Sequence, residues 1–391
     1  MDFALDPERQ ALIDRVRTLT KERLAPRAAA YDRDASYPKE SWHDLWQAGL
    51  FGMQIPKAHG GLEADPLTYV SVLEEVAKGC ANSAMTLHMH SVATGFVAAL
   101  GTEAQQRRYF AGVLGQGKLF GSWASEPQVS LTRTFLVDTS IKPAPGGYVI
   151  NGLKHFCTMA GAAGYYLVWC YLEGQPDMAH ALLQAVVPAG NPGVEIQGSW
   201  DPIGMRATVS PRTRYTDCFV GADEVLNPPG GATTAGVIEL FGLGYAAIYA
   251  GAAQGALDFT TEYCRTKTFQ PDNKPLAEDP LIQRHCGEMA ITLDQARLII
   301  QRAAARWPGL DANQRAVHAA QAKYTATQAA LEVTSRCLQV CGGRAALKEM
   351  PIERAFRDVR TATLMPPNVD STLTIIGKDV LGIQTGAFKY G

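Results

Sequence analysis

The chain has 391 residues, 47% hydrophobic and 19% charged, enough to bury a large core and to divide into two or three folding units. Its formal net charge of −2 offers no electrostatic attraction to nucleic acid or to an anionic membrane. No run of about 18 apolar residues invites a bilayer span. The start, MDFALDPERQALIDRV, has an acidic residue at position 2 and no basic-then-apolar signal region, so a cytoplasmic location is expected. Eight cysteines are scattered without a CxxC pair and read as reduced, buried small hydrophobes. The histidines show no zinc spacing beyond His88-x-His90, and no metal is expected.

Residues 1–119 read as a helical domain. Asp6-Pro7 supplies an N-cap followed by proline at the first helical position, and Leu12, Val16 and Leu19 then recur with helical period. A second helix is expected from Asp65 to Ala77, after the Gly60-Gly61 break, and a third from Ala81 to Leu100. Residues 120–228 change to a β pattern. The Asn151-Gly152 pair in GGYVINGLKHF is a hairpin signal, Tyr165 to Tyr171 and Ala181 to Val187 are apolar runs of strand length, and Arg212 to Val220 alternates.

Residues 229–391 return to helix. Thr234 to Thr268 is rich in Ala and Gly, so its backbone can approach its neighbours closely. A helix opened by Asp279-Pro280 runs to Arg306, another from Asn313 to Cys341 is stopped by Gly342-Gly343, and Asn368 can cap a last one ending near Leu381. The fold class expected is α+β multidomain: an N-terminal all-α domain, a β-barrel-like middle domain and a C-terminal four-helix bundle.

Four segments carry a resemblance. They are GSWASEP (Gly121 to Pro127), GYVINGLKHFCTMAGAAGYYLV, WDPIGMRATVS (Trp200 to Ser210) and QVCGGRAALKEMPIERAFRD (Gln339 to Asp358). In this order and spacing they resemble the acyl-CoA dehydrogenase superfamily over nearly the whole chain. The resemblance implies FAD. Ser125 and Thr158 match the family's hydrogen-bond donors to the flavin ring, Phe156 the aromatic that packs on it, and Trp123 lies in the same flavin loop. Arg265, Lys267 and Phe269 match, one residue out of register, the segment that reaches a neighbouring subunit's FAD. Gln339, Gly342 and Gly343 match the segment lining its adenosine diphosphate half, and Asn368 completes the expected contacts. A cofactor bridging two chains implies a homo-oligomer, a dimer or a tetramer.

The substrate side departs from the pattern. The commonest subfamily has its catalytic glutamate nine residues after the Arg of the Arg-Asp signature; from Arg357 that position is Pro366, which brings neither a carboxylate nor a backbone N–H. A second subfamily has its base on the first bundle helix, where Phe241 stands here, followed by Gly242 in place of an arginine. Glu239, two residues from that position, is expected to point to nearly the opposite side of the helix. The flavin loop continues Gln128-Val129-Ser130-Leu131-Thr132 where the family has Gly-x-Gly-Ser-Asp, including its CoA-binding serine. Glu239, Asp370, His88 and His90 are the remaining candidates for a base, with a helix-dipole role favoured for Asp370.

Three readings follow. The first is a dehydrogenase of a CoA- or carrier-bound acyl group with a relocated base, passing electrons to an electron-transfer flavoprotein. The second is a reduced-flavin monooxygenase of the same fold, served by a flavin reductase and able to use FMN; KHFCT and IGMRAT resemble segments of the dibenzothiophene-type monooxygenases. The third is a silent FAD-binding partner subunit.

Overall fold

The structure is a computed structural model that describes residues 5–129, 137–226, 228–361 and 364–383. Ser130, Leu131 and Thr132, where the family's CoA-binding serine segment would fall, lie outside the described residues.

The first domain is helical. It comprises α1 (Pro7–Leu19), α2 (Ala25–Asp34), α3 (Lys39–Gln47), α4 (Pro66–Gly79), α5 (Ala81–Leu100) and α6 (Glu103–Gln116), with a π-helical turn, Thr20–Leu24, joining α1 to α2. The Asp6 cap read from the sequence is present, its side chain accepting from the Arg9 N–H, and Asp65 likewise accepts from the Leu67 and Thr68 N–H groups at the start of α4. Helix α5 is buried on every side from Ala81 to Val97, which is why its sequence is small and apolar all round.

The middle domain is one eight-stranded mixed sheet. Its strands are β1 (Phe120–Trp123), β2 (Ser140–Ala144), β3 (Gly147–Lys154), β4 (Tyr165–Leu172), β5 (Leu182–Pro188), β6 (Val194–Gln197), β7 (Arg212–Gly221) and β8 (Val225–Leu226), with the short α7 (Met178–Ala181) before β5. The order is β6-β7-β3-β2-β4-β5-β8, and β1 joins β4 in parallel.

One turn is displaced from its expected place. The β2–β3 hairpin closes at Pro145-Gly146, where Gly146 has φ of 80°, and Asn151-Gly152 lies inside β3. There the register against β7 shifts between Ile150 and Gly152. Asn151 Oδ1 accepts from the Asp217 N–H at 2.8 Å, and a Cβ at Gly152 would lie 2.4 Å from Thr139 Oγ1. An Asn-Gly pair serves a bulge as readily as a tight turn, and here it makes the bulge.

The C-terminal domain holds α8 (Gly231–Thr234), α9 (Glu239–Thr266), α10 (Pro280–Arg306), α11 (Ala312–Cys341), α12 (Pro351–Arg360) and α13 (Val369–Val380). The single helix expected from Thr234 to Thr268 is divided near Gly236, whose φ is 70°. Helix α9 is the centre of the molecule. A Cβ at Gly251 would sit 2.3 Å from the Glu74 carbonyl and one at Gly255 2.1 Å from that of Lys78, so α4 touches its bare backbone. Among the described residues α9 alone is long and apolar enough to cross a membrane, and 83% of its most apolar window is buried inside the protein. Gly342 caps α11 with φ of 70°, as its sequence implies.

The Arg-Asp signature joins the three domains. Arg357 on α12 makes bonds of 3.0 and 2.6 Å to the two oxygens of Asp32 on α2, and reaches the Ile203 carbonyl at 3.0 Å. Its neighbour Asp358 accepts from the Met205 N–H at 2.6 Å and from Asn82 Nδ2 on α5 at 3.1 Å. A Cβ at Gly204 would lie 2.1 Å from the Arg357 carbonyl, so only glycine lets this loop sit down on α12.

Candidate functional site

Where the sheet domain faces α5, α9, α11 and the segment before α13, the protein encloses a cleft with an empty volume of about 1980 Å³ that runs out into solvent. Three of the residues expected to touch a flavin, Ser125, Phe156 and Thr158, line it together. They arrive there from separate segments, the turn after β1 and the loop after β3.

Five hydroxyls, those of Ser122, Ser125, Thr158, Thr208 and Ser210, stand among apolar residues on the sheet side. Ser210 donates to Thr158 Oγ1 at 3.1 Å, and Thr208 Oγ1 lies 2.9 Å from Ser210 Oγ. With its oxygen already accepting, the Thr158 hydroxyl proton is free to donate into the cleft. The Thr158 carbonyl is held from behind by Trp123 Nε1 at 3.0 Å. Trp123 itself is 1% exposed, stacks on Tyr166 at 4.2 Å and does not line the cleft. Trp123, expected among the cofactor contacts, thus supports the wall from behind, because inward-facing β1 side chains enter the core. Ser122, Thr208 and Ser210, which do line the cleft, went unselected in the sequence; Thr208 and Ser210 are brought together by the turn at Arg206–Thr208 and the left-handed Val209, which no local pattern announces.

Phe156 is 57% exposed although aromatic, and its backbone holds φ of 56°, a left-handed conformation that a bulky side chain rarely adopts. It stacks on His155 at 4.0 Å and meets Trp200 edge-on at 6.2 Å. Its other face is available to a planar ring.

Beneath this loop a buried ion pair fixes the backbone. Lys154 Nζ lies 2.6 Å from Glu126 Oε1 and 3.3 Å from the Ala124 carbonyl, and Glu126 also accepts from the Thr139 N–H at 2.9 Å and from the Asp138 N–H. Burial raises the Glu126 pKa, but Lys154 and these donors more than offset it and hold the carboxyl below its usual value.

The base candidates separate clearly. Pro366 lines the cleft, so the family's usual glutamate position faces the site without a carboxylate. Asp370 is exposed in the first turn of α13 and does not line it. His90 does not line it either. Its Nδ1 accepts from the Phe120 N–H and its Nε2 bonds the Phe51 carbonyl, both at 3.0 Å, a satisfied core histidine. His88 lies one layer behind the wall, bonded through Nδ1 to Tyr69 at 2.7 Å and edge-on to Phe241 and Tyr245. A Cβ at Gly244 would lie 2.2 Å from its ring. Its Nε2 is turned toward the Phe241 carbonyl without a well-formed hydrogen bond. Burial drives both imidazoles down, to about 3 for His88 and about 4 for His90. The unfolded chain therefore binds more protons below its ordinary value of 6.5, and acidification through that window works against the fold.

Glu239 departs from expectation. It lines the cleft together with Ile238, Phe241, Gly242 and Tyr245. The helical-wheel argument fails because the cleft wraps the terminal turn of α9, so residues on several faces of that turn reach it. Glu239 is 7% exposed, and its Oε2 has no hydrogen-bond partner among the described residues. Burial raises its pKa, opposed by its own backbone N–H and by the charge of Arg315.

The other wall is held by Lys323 of α11, which no motif or spacing singles out. Its buried Nζ donates to the Met365 carbonyl at 2.6 Å and to that of Pro367, and lies 5.5 Å from the Tyr245 ring. Burial lowers its pKa to about 7.

The remaining expected cofactor contacts lie outside the cleft. Arg265 ends α9 with its side chain 70% exposed, and Lys267 Nζ sits 4.8 Å over the exposed Phe269 ring. Gln339, Gly342 and Gly343 are exposed around the end of α11. Asn368 uses its Oδ1 to cap α13 through the Ser371 N–H at 2.9 Å.

A helical domain, a sheet domain and a helical bundle, meeting at one hydroxyl-lined cleft, define the architecture. The profiles of the acyl-CoA dehydrogenase N-terminal, middle and C-terminal domains match residues 6–116, 121–218 and 237–381 in turn. The chain belongs to the acyl-CoA dehydrogenase family. It is 31% identical to a dibenzothiophene monooxygenase of Mycolicibacterium goodii, over 90% of this chain and 89% of that one. It is 27% identical to an acryloyl-CoA reductase (NADH) of Anaerotignum propionicum, over 97% and 96%. Among solved structures, the FMN-bound TdsC of Paenibacillus sp. A11-2 superposes with a TM-score of 0.88 at 26% identity, covering 97% of this chain and all of that one.

Proposed function

We propose that this chain is an FAD-dependent oxidoreductase that acts on the CH–CH bond of a CoA- or carrier-bound acyl group. The observation that carries the reading is the convergence of Ser125, Thr158 and Phe156 on one cleft, with Thr158 oriented by Ser210 to donate inward. Two hydroxyl donors and an exposed aromatic face suit a planar, heteroatom-edged ring. When bound, flavin supplies a hydride-accepting ring. The chain's own part is to hold that ring between Phe156 and the hydroxyls, and to keep water from a largely apolar substrate pocket.

The exposed Arg265, Lys267, Phe269, Gln339, Gly342 and Gly343 fit a surface that completes the cofactor site of a second copy, so the working unit is a homo-oligomer. An electron-transfer flavoprotein is the fitting electron acceptor.

The purified protein is expected to be yellow and to carry about one flavin per chain; a colourless protein that takes up neither FAD nor FMN would remove this reading. Thr158→Val and Ser125→Ala are each expected to weaken flavin binding by on the order of 1 kcal/mol, with the far-ultraviolet circular dichroism unchanged. Wild-type affinity and spectra in both variants would show that the ring sits elsewhere.

A second reading, a reduced-flavin monooxygenase served by a flavin reductase, is favoured by Pro366 in the cleft wall and by the dibenzothiophene monooxygenase relative. Anaerobic mixing with straight-chain acyl-CoAs separates the two: bleaching of the oxidised flavin supports the dehydrogenase. No bleaching, with an absorbing species when reduced flavin meets oxygen, supports the monooxygenase. Neither signal across broad substrate sets leaves a silent flavin-binding subunit.

A further inference from the structure

Buried carboxyl oxygens in folded proteins almost always have a hydrogen-bond partner, and those that lack one at a cavity wall are candidates for chemistry. Among the described residues that line the cleft Glu239 supplies the only carboxylate; it is 7% exposed, and its Oε2 is sealed from solvent with no hydrogen-bond partner among the described residues. We propose that Glu239 is the proton acceptor of this site, taking the proton α to a thioester carbonyl. The inference rests on the CH–CH reading above.

The electrons balance as follows. The α C–H bond breaks toward the Glu239 carboxylate, its electron pair forms the new carbon–carbon double bond, and the β-hydrogen leaves with its pair as hydride to the oxidised flavin. Glu239 ends protonated and the flavin reduced.

Three features suit Glu239 to the task. As the first residue of α9 it stands on a rigid element, two residues before Phe241, and both line the cleft from the same terminal turn. Desolvation makes it a stronger base than an exposed glutamate, while its own backbone N–H and Arg315 on α11 keep the charged form within reach. The alternatives are absent or occupied. His90 has both nitrogens bonded, His88 lies behind Phe241 and Tyr245, Asp370 faces solvent, and Pro366 has no carboxyl.

The test is exchange of α-hydrogen for deuterium, followed by mass spectrometry, in flavin-loaded protein given acetyl-CoA, butyryl-CoA or phenylacetyl-CoA in deuterated buffer. Acetyl-CoA and phenylacetyl-CoA have no β-hydrogen to lose as hydride, so exchange is read apart from oxidation. Wild-type protein is expected to exchange at least one of them. Glu239→Gln is expected to slow exchange by about 100-fold or more with its flavin spectrum intact. If that variant does not fold, Glu239→Asp is read instead, and slowing of about tenfold or more is expected. Unchanged exchange in either folded variant overturns the assignment.

Exchange absent from wild type also overturns it. Bleaching by butyryl-CoA in the same samples then tells whether the CH–CH reading survives without Glu239. The flavin-free protein gives an independent readout through the infrared carboxyl band lost in Glu239→Gln. Buried, and opposed only by Arg315 and its own backbone N–H, that carboxyl is expected to titrate above the ordinary glutamate range. A band titrating within or below that range overturns the proposal.

Discussion

Glu126→Ala is expected to destabilise the protein by about 3–5 kcal/mol, because it leaves the Lys154 ammonium buried without a counter-charge. The two side chains are 0% and 2% exposed, so water cannot take over the lost contact. The same change strands the Thr139 N–H, which donates to Glu126 at 2.9 Å, and releases the turn that carries Ser125. Flavin affinity should therefore fall with stability. Replacing both partners, Glu126→Leu with Lys154→Met, should recover much of the loss, since a buried pair is often replaceable by apolar groups of similar volume. The Glu126 carboxyl titrates below its usual 4.5, so the pair stabilises the fold fully above that value. Its contribution is lost as pH falls through the lower folded value. Urea titration of wild type, single and double variants checks this. A single variant within about 1 kcal/mol of wild type would show that the pair is not what holds the loop.

The architecture was legible because each domain writes a different period into the chain. Asp6-Pro7, Asp279-Pro280 and Asn368 all cap the helices they announce, since a carboxylate or amide ahead of a helix has one obvious use. Asn151-Gly152 misled because the same residues relieve a strand bulge, and only the β7 register decides between the two uses. Ser125, Thr158 and Phe156, which line the cleft, were singled out through the motifs around them. What lay hidden depends on tertiary approach. No local pattern says that Lys323 will meet the Met365 and Pro367 carbonyls 42 and 44 residues away, or that Asn82 will reach Asp358 across 276 residues. Glu239 was misjudged by a rule that holds along a helix flank and breaks at a helix end projecting into a cavity.

Arg357→Ala is the change expected to reach farthest, because one guanidinium ties α2, the 203–208 loop and α12. Its loss leaves Asp32, 5% exposed, as a buried carboxylate stripped of a two-pronged partner, at a cost of about 3–5 kcal/mol. Glu353 loses bonds of 2.7 and 3.0 Å, and the Ile203 carbonyl loses its donor. Arg357→Lys should recover only part of this, since an ammonium cannot hold both Asp32 oxygens while reaching Ile203. The loop lines the cleft through Ile203, Gly204 and Met205, so flavin release should quicken as thermal stability drops. Asp358 adds a pH signature. Burial first, with the nearby Asp32 charge, pushes its pKa up from 3.8 to about 6, against the Met205 N–H and the arginines. The folded protein thus holds a proton there that the unfolded chain gives up near 3.8. Stability from this group is full below that value and declines as pH rises through about 6. Removing Arg357 takes away one of the charges favouring the ionised form, so the decline should move to higher pH. Asp358→Asn should abolish it. Thermal melts of wild type, Arg357→Ala and Asp358→Asn between pH 4 and 8 test both points. Identical pH profiles in all three, or an Arg357→Ala melting temperature equal to wild type, would show that this clamp does not join the domains.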